Sequence, residues 1–207
     1  MKTIYNIKTK TVDFLYNNLK HFISLQTLEW RLENSITFGY GIYTFLIDGA
    51  EQPVTGSENI LLDTKFYSVK KGKHTINTIL VVSITKKKIL YISPSFPGSI
   101  NDNEITKKTK TNWFDFLNIM ENGMGDSGFD GLSNEGIRIS TPPNSKNYEL
   151  YSLFSKYRVI VENRIADCKD WRICKDQLRL KITNSEEILI EHHKYWTIVA
   201  AFVNLNH

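Results

Sequence analysis

Cysteine is almost missing from this chain. The 207 residues hold only Cys168 and Cys174. They form no CxxC pair and lie near no histidine at ligand spacing. That excludes a disulfide framework and a cysteine-based zinc site, and it favours free thiols in a reducing compartment. The five histidines form no cluster either. No apolar run reaches the length of a membrane span, and the opening MKTIYNIKTKTVDF lacks the apolar stretch of a secretory signal. Internal repeats and low-complexity segments are also lacking. The expectation is a soluble, non-secreted protein with no membrane partner, nuclear in a eukaryote and cytoplasmic otherwise.

What is present is ordinary globular composition, 41% apolar and 23% charged, in a chain long enough for one sizeable core. Net charge is only +4, but it is unevenly spread. Residues 1–63 carry five basic and seven acidic side chains, whereas residues 65–110 carry ten lysines against Asp102 and Glu104. A local excess of that size makes a phosphate-binding face, or equally a solvated surface.

Periodicity gives a coarse layout. Residues Thr11 to Asn34 read as one helix, with Phe14, Leu15, Leu19, Phe22, Ile23 and Leu28 in its apolar stripe. GIYTFLID, residues 41–48, reads as a buried strand that ends in Asp48, followed by a polar loop from Gly49 to Lys65. Residues 74–84 and 88–95 read as a hairpin turning at Thr85-Lys86-Lys87. Asn101 or Asp102 caps a helix to about Met120. Asp126 follows in a glycine-rich turn, and residues 136–141 form a short strand. A helix from about Asn147 to Ala166 carries the stripe Leu150, Leu153, Phe154, Tyr157, Val161 and Ile165. A last helix covers about Ser185 to Asn204. Strands followed by mixed strands and helices predict α/β layering around one sheet.

Three acids come from separate elements. Asp48 ends a strand, Asp126 sits where glycine lets backbone approach a ligand, and Glu162 shares a helix face with Arg158 and Lys169 beside the apolar stripe. Such carboxylates suit two hard divalent cations and phosphodiester chemistry. Each acid taken singly reads more readily as a cap, a turn residue or a solvated charge.

Five blocks in order carry a resemblance. Tyr67, Ser68, Lys70, Lys71, His74 and Thr75 precede a hairpin and then Pro97, Gly98, Ser99 and Asp102. IDGAEQPV supplies Asp48, GDSGFDGL supplies Asp126, and RVIVENRIADCK supplies Arg158, Glu162 and Lys169. The ending HHKYWTIVAAFVNL closes the series. The pattern resembles the DDE superfamily endonuclease domain of Harbinger-like and related bacterial transposases, over about residues 46–205. Thirty-five residues separate Asp126 from Glu162, a spacing many such enzymes share.

The resemblance implies an RNase H-like fold, a mixed sheet flanked by helices, spanning 41–207 behind a short helical segment, 1–40, without a complete helix-turn-helix. It implies cleavage and strand transfer of DNA with Mg²⁺ or Mn²⁺ at a two-metal site. Asp48, Asp126 and Glu162 would be catalytic metal ligands, with Asp102 an accessory one. Lys70, Lys71, Lys73, His74, Arg158 and Lys169 would meet DNA phosphates, which position DNA without reading sequence. A truncated or derived copy, a separate DNA-binding partner protein and a homo-oligomer are further expectations. The alternative is a non-catalytic transposase-derived binding or interaction module. Against the family pattern, Ala50 stands for threonine, Val69 for glycine, and the polar Glu121-Asn122-Gly123 replaces an apolar strand.

Overall fold

The computed structural model describes residues 2–55, 64–142, 148–178 and 185–206. Its centre is strand β2 (Gly41–Pro53). On one edge β2 runs antiparallel to β4 (Lys73–Ser83), in register from Phe45↔Ser83 to Pro53↔Thr75. On the other edge it runs parallel to β7 (Glu121–Met124), and β7 runs parallel to β8 (Ile139–Ser140). β1 (Ile36–Phe38) pairs with the start of β2, and β5 (Ile89–Ile92) pairs with the outer edge of β4. Two short strands, β3 (Tyr67–Ser68) and β6 (Phe96–Pro97), extend that same outer edge. The result is an RNase H-like mixed sheet with helices on both faces.

Strand alternation sorts the core into two layers. Leu46 and Ala50 of β2, with Leu80 and Val82 of β4, face one side. There they meet Phe154, Val161 and Ile165 of α4 (Tyr148–Lys169), Cys174 of the short α5 (Arg172–Lys175), and Trp196, Val199 and Val203 of α6 (Ser185–Leu205). Phe45, Ile47, Ile79 and Val81 face the other side, under Ile105 and Trp113 of α3 (Asp102–Trp113) and under Phe129. The expected stripe of α4 is therefore its core face. Its residue Leu150 has a side chain outside the described set, as does the expected start at Asn147.

Four expectations need correction. The N-terminal helix is two helices, α1 (Lys2–Leu19) and α2 (Leu28–Glu33). Between them the backbone turns at Gln26, with φ of 60°, and Thr27 caps α2 by accepting from the Trp30 N–H. Phe14 and Leu28 of the supposed stripe are exposed. Second, β2 does not stop at Asp48 but runs on to Pro53 through the supposed loop. The polar Gln52 is fully buried because its amide donates to the Ile173 and Asp176 carbonyls and accepts from Trp196 Nε1. Third, the helix after Asn101 is α-helical only to Trp113. Fourth, the polar Glu121-Asn122-Gly123 does form a strand, β7. Glu121 is wholly buried there, with both carboxylate oxygens 2.7 Å from the Arg31 guanidinium. Gly123 is required because a Cβ would stand 2.0 Å from the Phe45 ring.

No helix among the described residues is long and apolar enough to cross a membrane. Both cysteines are free and buried.

Candidate functional site

Register places the first two acids together. β7 pairs with β2 as far as Met124↔Leu46, and both chains then run on for two residues, to Asp126 and Asp48. Among the described residues no strand pairs with this edge of β2 beyond that last pair, and Asp48 there lines a cleft. The Asp126 carboxylate accepts from the Gly128 N–H at 2.8 Å and holds the glycine-rich turn in shape. The Asp48 carboxylate accepts from the Gly49 N–H at 2.8 Å.

Asp102 arrives from the other side, as the first residue of α3, capped by Asn101 Oδ1 accepting from the Glu104 N–H. It lies directly on Gly49, where a Cβ would stand 2.2 Å from Asp102 Oδ1. Glycine after Asp48 is what lets the second carboxylate come in.

Burial and crowding show in the protonation equilibria. Burial pushes Asp48 up to about 6; the Gly49 hydrogen bond opposes this, and the charges of Asp126 and Asp102 add to it. Burial likewise pushes Asp102 up to about 6, with Lys70 opposing and Asp126 and Glu51 adding. The cleft holds about 410 Å³ and is lined by Asp48, Glu51 and Asp102 together with Lys70, Lys71 and Lys169. Lys169, at the end of α4, is pushed down by burial and by the neighbouring Lys71 charge, with Asp48 and Glu51 acting the other way. A larger hollow of about 730 Å³ lies beside Lys8 and Tyr195. It gathers no set of acids, and its Asp176 is paired with Arg172 at 2.9 Å.

The family model of the DDE superfamily endonuclease matches residues 47–204. The chain belongs to that family. No curated protein and no solved structure matches it significantly. The matched span contains Asp48, Asp102, Asp126 and Glu162.

Within this endonuclease domain the third acid stands apart. Glu162 lies on α4 with its side chain 47% exposed, 2.7 Å from Arg158 one turn earlier, and it does not line the cleft. Arg158 nevertheless links the two regions, because its charge also reaches Asp48. Lys73 and His74 pair with Ser68 and Tyr67 at the start of β4, outside the cleft lining. Among the described residues no three carboxylate, histidine or cysteine groups stand together as a ready metal cage. The donor chemistry still fits a hard divalent cation. Asp48 and Asp102 in the cleft, with Asp126 outside its lining but near enough for its charge to act on both, offer only oxygen ligands, and their mutual repulsion is what such an ion relieves.

Glu51 was not visible as a site residue from sequence. It enters the cleft only because β2 continues past Asp48, which puts Gly49 and Glu51 on one side of the strand. The usable signal was the alternation through Asp48 to Gln52, masked by polar composition.

Proposed function

We propose that this domain is a divalent-metal-dependent DNA endonuclease and strand-transfer domain of the transposase type. The observation that supports the reading most is the pair Asp48 and Asp126: Asp126 follows β7 two residues after its last pair with β2, and its charge reaches Asp48, which lines a lysine-rimmed cleft with Glu51 and Asp102. Asp48 and Asp126, with Asp102 as accessory and Glu162 brought in from α4, would hold Mg²⁺ or Mn²⁺. A bound divalent ion would supply the Lewis acid that activates the attacking hydroxyl and neutralises the leaving oxygen.

The protein's own groups do the rest. Lys70, Lys71 and Lys169 hold the DNA backbone against the acids, and Lys73, His74 and Arg158 extend that contact outward. A phosphate that draws Arg158 to itself releases Glu162 to swing toward the cleft. That release costs little, since an exposed pair one helical turn apart contributes only about 0.3–0.5 kcal/mol.

Mn²⁺-supported nicking of supercoiled plasmid tests this reading. The wild-type chain is expected to nick, and Asp48→Ala, Asp126→Ala and Glu162→Ala each to fail while retaining salt-sensitive DNA binding. A variant that cleaves at the parental rate removes that residue from the machinery.

A second reading, a non-catalytic transposase-derived DNA-binding module, is favoured by one observation: Glu162 is engaged by Arg158 rather than by the cleft. No nicking by a folded wild-type chain that still binds DNA would select it.

A further inference from the structure

Because β2 alternates, its two sides offer different donors. Asp48 shares the side of Leu46 and Ala50, beneath α4 and α6. Gly49 and Glu51 share the opposite side with Phe45 and Ile47, beneath α3. On that opposite side lie three oxygen donors that line one cleft. Glu51 faces Asn77 directly across the β2–β4 ladder, so their side chains are cross-strand neighbours. Asp102 lies against Gly49, two residues before Glu51.

Two of these donors are incompletely satisfied. Glu51 Oε1 accepts from Ser68 Oγ at 3.1 Å, while Oε2 is buried with no partner among the described residues. Asn77 is only 3% exposed. Its Nδ2 donates to the Ile100 carbonyl at 3.1 Å, which fixes the orientation of the amide. Its Oδ1 is left buried with no donor among the described residues. Buried acceptors without partners are rare and costly. Among the described residues no lysine or arginine forms an ion pair with Glu51 or Asp102. All three side chains line the same cleft.

We propose that Glu51, Asn77 Oδ1 and Asp102, the last shared with the Asp48 site, form a second divalent-cation subsite on the α3 side of β2. The proposal rests on the reading of the cleft as a metal-dependent endonuclease site. An all-oxygen set of two carboxylates and one amide carbonyl selects a hard ion of the Mg²⁺, Mn²⁺ or Ca²⁺ class over zinc or copper. The bound ion satisfies the two orphaned acceptors and cancels the repulsion between Glu51 and Asp102.

Titration of the metal-stripped full chain with Mn²⁺ at pH 7.5, followed by the electron paramagnetic resonance of free Mn²⁺, counts the ions directly. Wild type is expected to bind two. Glu51→Gln should lose one of them, with its affinity down roughly tenfold or more, and Asp48→Asn should lose the other. Asn77→Asp, which adds a charge to the subsite, should tighten the ion that Glu51→Gln loses.

Unchanged stoichiometry and affinity in Glu51→Gln, beside loss in Asp48→Asn, overturns the subsite and leaves the endonuclease reading standing. A single ion lost equally in both variants overturns its separateness. No Mn²⁺ binding by the folded wild-type chain overturns the subsite and the metal-dependent reading together.

Discussion

Replacing Asp48 with asparagine should stabilise the metal-free fold while removing the carboxylate. In the folded chain burial and neighbouring acids hold Asp48 at about 6, against 3.8 for the free side chain. A group whose folded value is raised favours the fold when protonated. Its contribution is therefore fully present below about pH 4 and is lost as pH rises through 6. At pH 7.5 the wild type carries the whole cost of an ionised, crowded carboxylate. A displacement of this size corresponds to about 3 kcal/mol. Asp48 is only partly shielded by accessible area, so screening leaves about 1–2 kcal/mol. Asparagine keeps the oxygen that accepts from the Gly49 N–H and drops the charge.

Urea denaturation in EDTA should therefore show Asp48→Asn more stable than wild type by about 1–2 kcal/mol at pH 7.5. For a chain of this size that is a rise in Tm of roughly 2–8 °C. The difference should vanish near pH 4. Added Mn²⁺ should stabilise wild type and close the gap, because a ligand that binds only the folded state adds its binding energy to stability. A folded Asp48→Asn chain that is no more stable than wild type at pH 7.5 refutes the electrostatic account of the cleft.

Three further outcomes follow from the packing and burial of other groups. Gly49→Ala puts a Cβ 2.2 Å from Asp102 Oδ1; it should cost about 1–3 kcal/mol in a urea melt and weaken Mn²⁺ binding, as Asp102 is pushed away. Arg31→Met strands the fully buried Glu121 carboxylate; it should cost about 3–5 kcal/mol at neutral pH, and a second change, Glu121→Gln, should recover part of that in thermal melts. His192 is wholly buried, bonded through Nδ1 to Ser95 Oγ at 2.6 Å, and burial pushes it down to about 3 from 6.5. It must stay neutral in the fold, so its contribution is lost as pH falls through 6.5 toward 3. Between pH 7 and pH 4.5 this removes roughly 2–3 kcal/mol, and His192→Gln should flatten that acid limb in urea titrations.

Much of the architecture was legible in the chain. Phe154, Val161 and Ile165 mark the core face of α4, and the alternation through residues 74–84 marks β4, because a stripe or an alternation that faces a core repeats at the period of its own backbone. The five ordered blocks also pointed to the family. Sequence could not read Gln52 in a strand or Glu121 in another, since polar residues suit a buried strand only where tertiary partners such as Trp196, Ile173 and Arg31 satisfy them. Residues 14–28 misled for the reverse reason: helical spacing was present, but Arg31 reaches the Leu25 and Gln26 carbonyls and stabilises the break there.

By itself, then, the sequence determined the periodic elements, the acids Asp48, Asp102, Asp126 and Glu162, and the lysines around them, because these are properties of local pattern and residue type. Only the tertiary structure decided which acids come near one another, because that depends on strand pairing across the sheet. The parallel register of β2 and β7 sets Asp126 beside Asp48, and the bare backbone of Gly49 admits Asp102. The continuation of β2 brings Glu51 opposite Asn77, while the helical pairing with Arg158 holds Glu162 outside. Electrostatic coupling depends on distances between residues far apart in the chain, and those distances exist only once the strands are paired.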